Sequence, residues 1–147
     1  MGAGNVVGAG VIGIWMTALS FYDLRERRLP NWLTLPGAGA LLAAGVVSGR
    51  GSAALAGAAA LFGMYLVIHV LSPRAMGGGD VKLALGLGAL TGMFGADVWV
   101  LAAIGAPLLS AAYAVVVLLR HDSRTVPHGP SMCVASAAAV ALALPAP

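Results

Sequence analysis

Five acidic residues stand in this chain of 147: Asp23, Glu26, Asp80, Asp97 and Asp122. Asp23 closes one apolar run, and Asp80 opens another directly after Gly77-Gly78-Gly79. A carboxylate at the edge of hydrocarbon is costly, so it calls for a partner or a task. Two carboxylates held close together cannot both ionise easily, and one keeps a proton. The charged member takes a proton from water, which then attacks a carbonyl carbon. The protonated member hydrogen-bonds the carbonyl oxygen as it becomes negative. This is aspartic peptide-bond hydrolysis, and its titration belongs to the pair. His69 stands alone in an apolar run, and no Ser-His or Cys-His set is apparent. His69, His121 and His128 have no ligand spacing, so no metal and no cofactor is expected.

The neighbours of the two aspartates have mechanical readings. Three glycines at 77–79 leave room for an extended substrate backbone and free the chain to set Asp80 at a helix N-terminus. There the helix dipole favours the carboxylate form of Asp80. The same glycines predict a loop that is mobile without substrate. Lys82 either snorkels to the membrane surface or contacts substrate. Plainer readings stand beside these. Asp23 can pair with Arg27 at i+4, Asp80 can be a simple N-cap, and Asn31 reads as the N-cap of the next helix. Asp97 and Asp122 read as solvated loop residues. Two other functional classes also accommodate two membrane-edge carboxylates. One is a proton-coupled transporter or channel subunit, which prefers its acidic groups near the bilayer midplane. The other is a non-catalytic assembly subunit that uses the glycine loop for docking.

The elements that carry these residues are apolar throughout. Sixty per cent of residues are hydrophobic and 9% are charged, which excludes an ordinary water-soluble domain of this length. A bilayer-crossing helix needs about 20 apolar residues, so the chain has room for about six spans in one domain, residues 1–147. The expected fold is an all-α polytopic membrane protein with spans near 4–22, 32–48, 53–72, 81–95, 98–119 and 129–145. Turn chemistry marks the breaks at Leu29-Pro30-Asn31, Gly49-Arg50-Gly51-Ser52, Pro73, Gly95-Ala96-Asp97 and Val126-Pro127-His128-Gly129-Pro130. No Lys or Arg precedes Arg25, so the first run reads as a retained span and not as a signal peptide. Cys133 is the one cysteine, which excludes an internal disulfide. Ala84, Gly88 and Gly92 recur every four residues and form a small face for close helix packing.

With six spans, Arg25, Arg27, Arg28, Arg74, Lys82, Arg120 and Arg124 share one side and Arg50 alone takes the other. The asymmetry predicts a cytoplasmic first, third and fifth loop, both termini outside, and Asp23 and Asp80 at the cytoplasmic face of the inner (plasma) membrane. The formal charge of +3 comes from these short loops, which excludes a nucleic-acid-binding face.

Taken together, these residues resemble the type IV prepilin peptidases. Asp23-Leu24-Arg25-Glu26-Arg27-Arg28-Leu29-Pro30-Asn31 is similar to the first motif of that family. Gly77-Gly78-Gly79-Asp80-Val81-Lys82-Leu83 is similar to its GxGD motif. Val126-Pro127-His128-Gly129-Pro130 is similar to the segment that opens the family's last helix, where Phe is more usual than His128. The resemblance implies a membrane aspartic endopeptidase of the GxGD class, with Asp23 and Asp80 as the catalytic pair and Gly77, Gly78, Gly79 and Lys82 near the substrate. Its implied partners are the basic leader peptide of a prepilin or pseudopilin and membrane lipid. Larger members also N-methylate the new N-terminus and carry a cysteine-bearing cytosolic segment ahead of the first motif. This chain lacks that segment, so the expectation is cleavage without methylation, in a compact form like those serving Tad (Flp) pili. Archaeal preflagellin peptidases are near neighbours.

Overall fold

The computed structural model describes residues 3–74, 76–120 and 126–144, with side chains from residue 7; His121, Asp122 and Arg124 lie outside the described residues. Six helices follow in order: α1 (Ala3–Glu26), α2 (Asn31–Val47), α3 (Gly51–Leu71), α4 (Gly78–Phe94), α5 (Ala96–Leu119) and α6 (Gly129–Ala143). The chain is an all-helical membrane protein. α3, α5 and the Val7–Glu26 stretch of α1 are long and apolar enough to cross a bilayer, whereas α2 and α6 are apolar but shorter.

Each expected span is a helix, and the boundaries differ where local chemistry outweighs hydropathy. α1 runs on to Glu26, so Asp23 lies within its last turn and not beyond it. Arg25 supports this extension, because a cation in the last turn complements the carbonyl end of the helix dipole. Arg27 then turns the chain with φ of 52°. α4 starts earlier than the hydropathy suggests. The Gly77 carbonyl accepts the Asp80 amide at 3.1 Å, which draws Gly78 and Gly79 into the first helical turn. Asp80 is therefore the third residue of the helix and not its N-cap. Gly95, with φ of 121°, makes the whole turn between α4 and α5, a conformation open to glycine.

α4 is the central helix. It packs against α2, α3, α5 and α6, and nearly every residue from Asp80 to Gly92 is buried. Its small face explains how closely α3 approaches. A β-carbon on Gly57 of α3 would overlap the Gly88 carbonyl, and one on Gly92 would stand 2.6 Å from the Ala53 carbonyl. Close backbone approach of this kind is what small residues allow in membrane helix pairs. On the opposite flank Trp15 of α1 wedges beside Gly37 and Gly86, and its indole N–H donates to the Leu33 carbonyl at 2.9 Å. The indole thereby spans α1, α2 and α4.

α5 and α3 are longer than the helix they flank. His128, at the head of α6, meets Ser110 and Tyr65, so α5 continues past that level from Ser110 to Leu119 and α3 from Tyr65 to Leu71. These overhanging ends are apolar and exposed, including Val115, Leu118 and Leu119 on α5 and Val67, Val70 and Leu71 on α3.

Candidate active site

Asp23 and Asp80 are both buried, at 8% and 9% exposure, and they line the same cavity of about 270 Å³. Asp23 comes from the last turn of α1. Its Oδ2 accepts the Gly129 amide of α6 at 3.0 Å, across most of the length of the chain. A β-carbon on Gly129 would lie 2.7 Å from that oxygen, so any larger residue there would displace the carboxylate. Asp80 comes from the first turn of α4, ahead of the apolar run that begins at Val81. Its Oδ2 accepts the Gly77 amide at 3.3 Å, which folds the glycine segment back over its own carboxylate.

Burial pushes the Asp80 carboxyl up to about 6, and the nearby charge of Asp23 pushes in the same direction; the Gly77 amide opposes them. Burial thus opposes the helix dipole that was expected to favour the charged form of Asp80. Removal from water outweighs the dipole at this position, because a buried carboxylate loses hydration that one helix end only partly replaces.

The remaining predicted residues surround the same cavity, each with its own contact. Arg27, Arg28, Leu29, Gly77, Gly78, Gly79 and Lys82 complete the lining. Lys82 Nζ donates to Asn31 Oδ1 at 2.8 Å. Asn31 is thus not the N-cap of α2. Pro30 occupies that position, and Asn31, the first helical residue, turns its side chain to Lys82. The three glycines differ in what they allow. A β-carbon on Gly79 would stand 3.0 Å from Leu29, and one on Gly77 would stand 3.2 Å from the Asp80 carboxylate. At Gly78 the nearest atom would be a His69 ring carbon at 4.0 Å. Gly79 therefore lets the first loop pack on α4, and Gly78 is the position with open space beside it.

Several residues at this end carried no distinct signal in the sequence. His69, in the last turn of α3, is not isolated: its Nδ1 lies 2.7 Å from the Met76 carbonyl. A carbonyl only accepts, so Nδ1 carries the hydrogen. This bond holds the loop that enters Gly77. His128 places Nδ1 2.6 Å from Ser110 Oγ and Nε2 3.2 Å from Tyr65 Oη. Gly129 and His128 fall in the segment singled out by its turn chemistry, but nothing in that segment indicated a carboxylate at 23 as the partner.

A larger cavity, of about 790 Å³, opens between α1, α4 and α6 at the opposite end of the bundle. Gly8, Gly13, Leu90, Phe94 and Val140 line it, and Arg50 is the charged residue among its lining. It contains no carboxylate, imidazole or thiol to carry a reaction, so the smaller cavity is the candidate site.

The family model of the type IV leader peptidases matches residues 10–144. The chain belongs to the type IV leader peptidase family. A prepilin leader peptidase/N-methyltransferase of Aeromonas salmonicida strain A449 is 33% identical over 138 residues, covering 86% of this chain and 46% of that protein. A second Aeromonas salmonicida sequence of the same description gives the same figures. The chain spans about half the length of the curated relatives it matches. No solved structure gives a significant match. The matched region of this leader-peptidase family chain takes in both aspartates, the glycine segment and the head of α6.

Proposed function

We propose that the protein is a membrane-embedded aspartic endopeptidase that removes the leader peptide from type IV prepilins or pseudopilins. The observation that carries this reading is the pair of buried carboxylates, Asp23 and Asp80, on one cavity at one end of the bundle. Asp80 holds its proton toward neutral pH and hydrogen-bonds the scissile carbonyl oxygen. Asp23, anchored by the Gly129 amide, takes the proton of the attacking water. Gly78 offers the open wall along which an extended substrate backbone lies.

The basic residues of the first and third loops support a cytoplasmic orientation for this end, with both termini outside and the protein in the inner membrane. The substrate is a prepilin of the Tad (Flp) type. The test is co-expression with such a prepilin and separation of precursor from mature pilin on a gel. Cleavage by the wild type is lost in Asp23→Ala and in Asp80→Ala. Normal leader removal by both variants overturns the proposal.

A further inference from the structure

We propose that His128 is a positioning residue for Asp23: clasped by Tyr65 of α3 and Ser110 of α5, its ring fixes the head of α6 so that the Gly129 amide is aimed at the Asp23 carboxylate. The inference rests on reading Asp23 and Asp80 as the reacting pair.

His128 is the N-cap of α6, yet its side chain makes no capping bond to that helix. Both ring nitrogens are instead directed to other helices, Nδ1 to Ser110 Oγ at 2.6 Å and Nε2 to Tyr65 Oη at 3.2 Å. A neutral imidazole has one donor and one acceptor nitrogen, and a hydroxyl can be either. One hydroxyl donates to the ring and the other accepts from it, so both contacts are satisfied without a charge. Burial holds the ring in that neutral form, since it moves the imidazole below its usual range.

The peptide plane that joins His128 to Gly129 carries the amide that reaches Asp23. Anchoring the ring on two helices therefore fixes the direction of that N–H. Pro130 follows and has no amide hydrogen, so Gly129 offers the first free amide of α6. A phenylalanine has a ring of similar bulk and makes neither bond. In this chain the hydrogen bonds fix what shape alone would otherwise have to fix.

The test uses the full chain in detergent micelles with a prepilin that the wild type cleaves. His128→Phe preserves ring bulk, and its kcat falls roughly tenfold with KM unchanged, the scale of one lost hydrogen bond to a charged group. His128→Gln, which retains a donor and an acceptor, recovers most of that loss. Tyr65→Phe and Ser110→Ala each lower kcat, and neither adds its full effect to His128→Phe. The ¹⁵N–¹H resonance of Gly129 is read separately from cleavage. It moves on Asp23→Asn, where the carboxylate is gone, and that response is lost when His128→Phe is already present, because the amide is no longer aimed.

Wild-type kcat in His128→Phe, a loss confined to KM, or a Gly129 resonance that responds equally to Asp23→Asn with and without His128→Phe overturns the proposal. Normal cleavage by both Asp→Ala variants instead removes the dyad reading, and the Gly129 resonance still decides whether His128 positions Asp23.

Discussion

Lys82 Nζ donates to Asn31 Oδ1 at 2.8 Å, and this single bond joins the head of α2 to the head of α4. The two residues belong to the two different sequence motifs that carry Asp23 and Asp80. Asn31→Ala and Lys82→Met are each expected to lower cleavage several-fold, with the double variant little worse than either. The coupling is on the order of 1 kcal/mol, the scale of a hydrogen bond that involves a charged group near solvent. Asn31→Asp preserves the acceptor and retains activity. A double-mutant cycle on cleavage rates checks this, and full additivity would show that the bond does not align the motifs.

The raised Asp80 carboxyl makes both activity and stability depend on pH. Its folded value, about 6, lies above the ordinary 3.8. The folded state therefore holds a proton that the unfolded chain has already released, and stability falls as pH rises from about 4 to about 6. Asp80→Asn removes that loss. Its melting temperature in detergent is expected to exceed that of the wild type at pH 7 and to match it near pH 4. The difference reaches at most about 3 kcal/mol. In the same range the cleavage rate of the wild type falls on the alkaline side as the shared proton is lost. Identical melting curves for the two proteins across pH 4 to 7 would contradict this account.

Glycine substitutions separate close packing from open surface. Gly57→Ala forces a methyl group against the Gly88 carbonyl, and the α3–α4 crossing must open. A loss of about 1–3 kcal/mol is expected, as for an overpacked core. Gly39, on α2, has nothing within 4 Å of the place a β-carbon would take, and Gly39→Ala is expected to be neutral or slightly stabilising. Thermal unfolding in detergent of the two variants checks the contrast.

The helices themselves were legible because apolar runs and turn residues recur at the length of a bilayer crossing. The glycine face on α4 was legible too, since a four-residue spacing of small residues has few uses besides close packing. Helix ends were less so. Asp23 and Asp80 fall inside helices because Arg25 and the Gly77 carbonyl extend α1 and α4 beyond their apolar cores. Asn31 was misread because N-cap statistics know nothing of a lysine that arrives from another helix. Gly129, His128, Tyr65 and Ser110 act through contacts between distant segments, and no local spacing records such contacts. The burial that opposes the dipole at Asp80 was hidden for the same reason: the dipole is read from position on the helix, whereas burial depends on the other helices around it.

The overhang of α5 past the head of α6 sets a length. Asp23 is tied through Gly129 to the level at which His128 meets Ser110, and α5 climbs from there to Leu119 with an apolar, exposed surface. At about 1.5 Å per residue that climb is roughly 13 Å. An extended chain covers about 3.3–3.6 Å per residue, so about four unwound residues bridge the distance from the rim of α5 to the carboxylates. On the proposed reading, a substrate that met this rim as a folded helix would need an unwound segment of about that length to reach the pair.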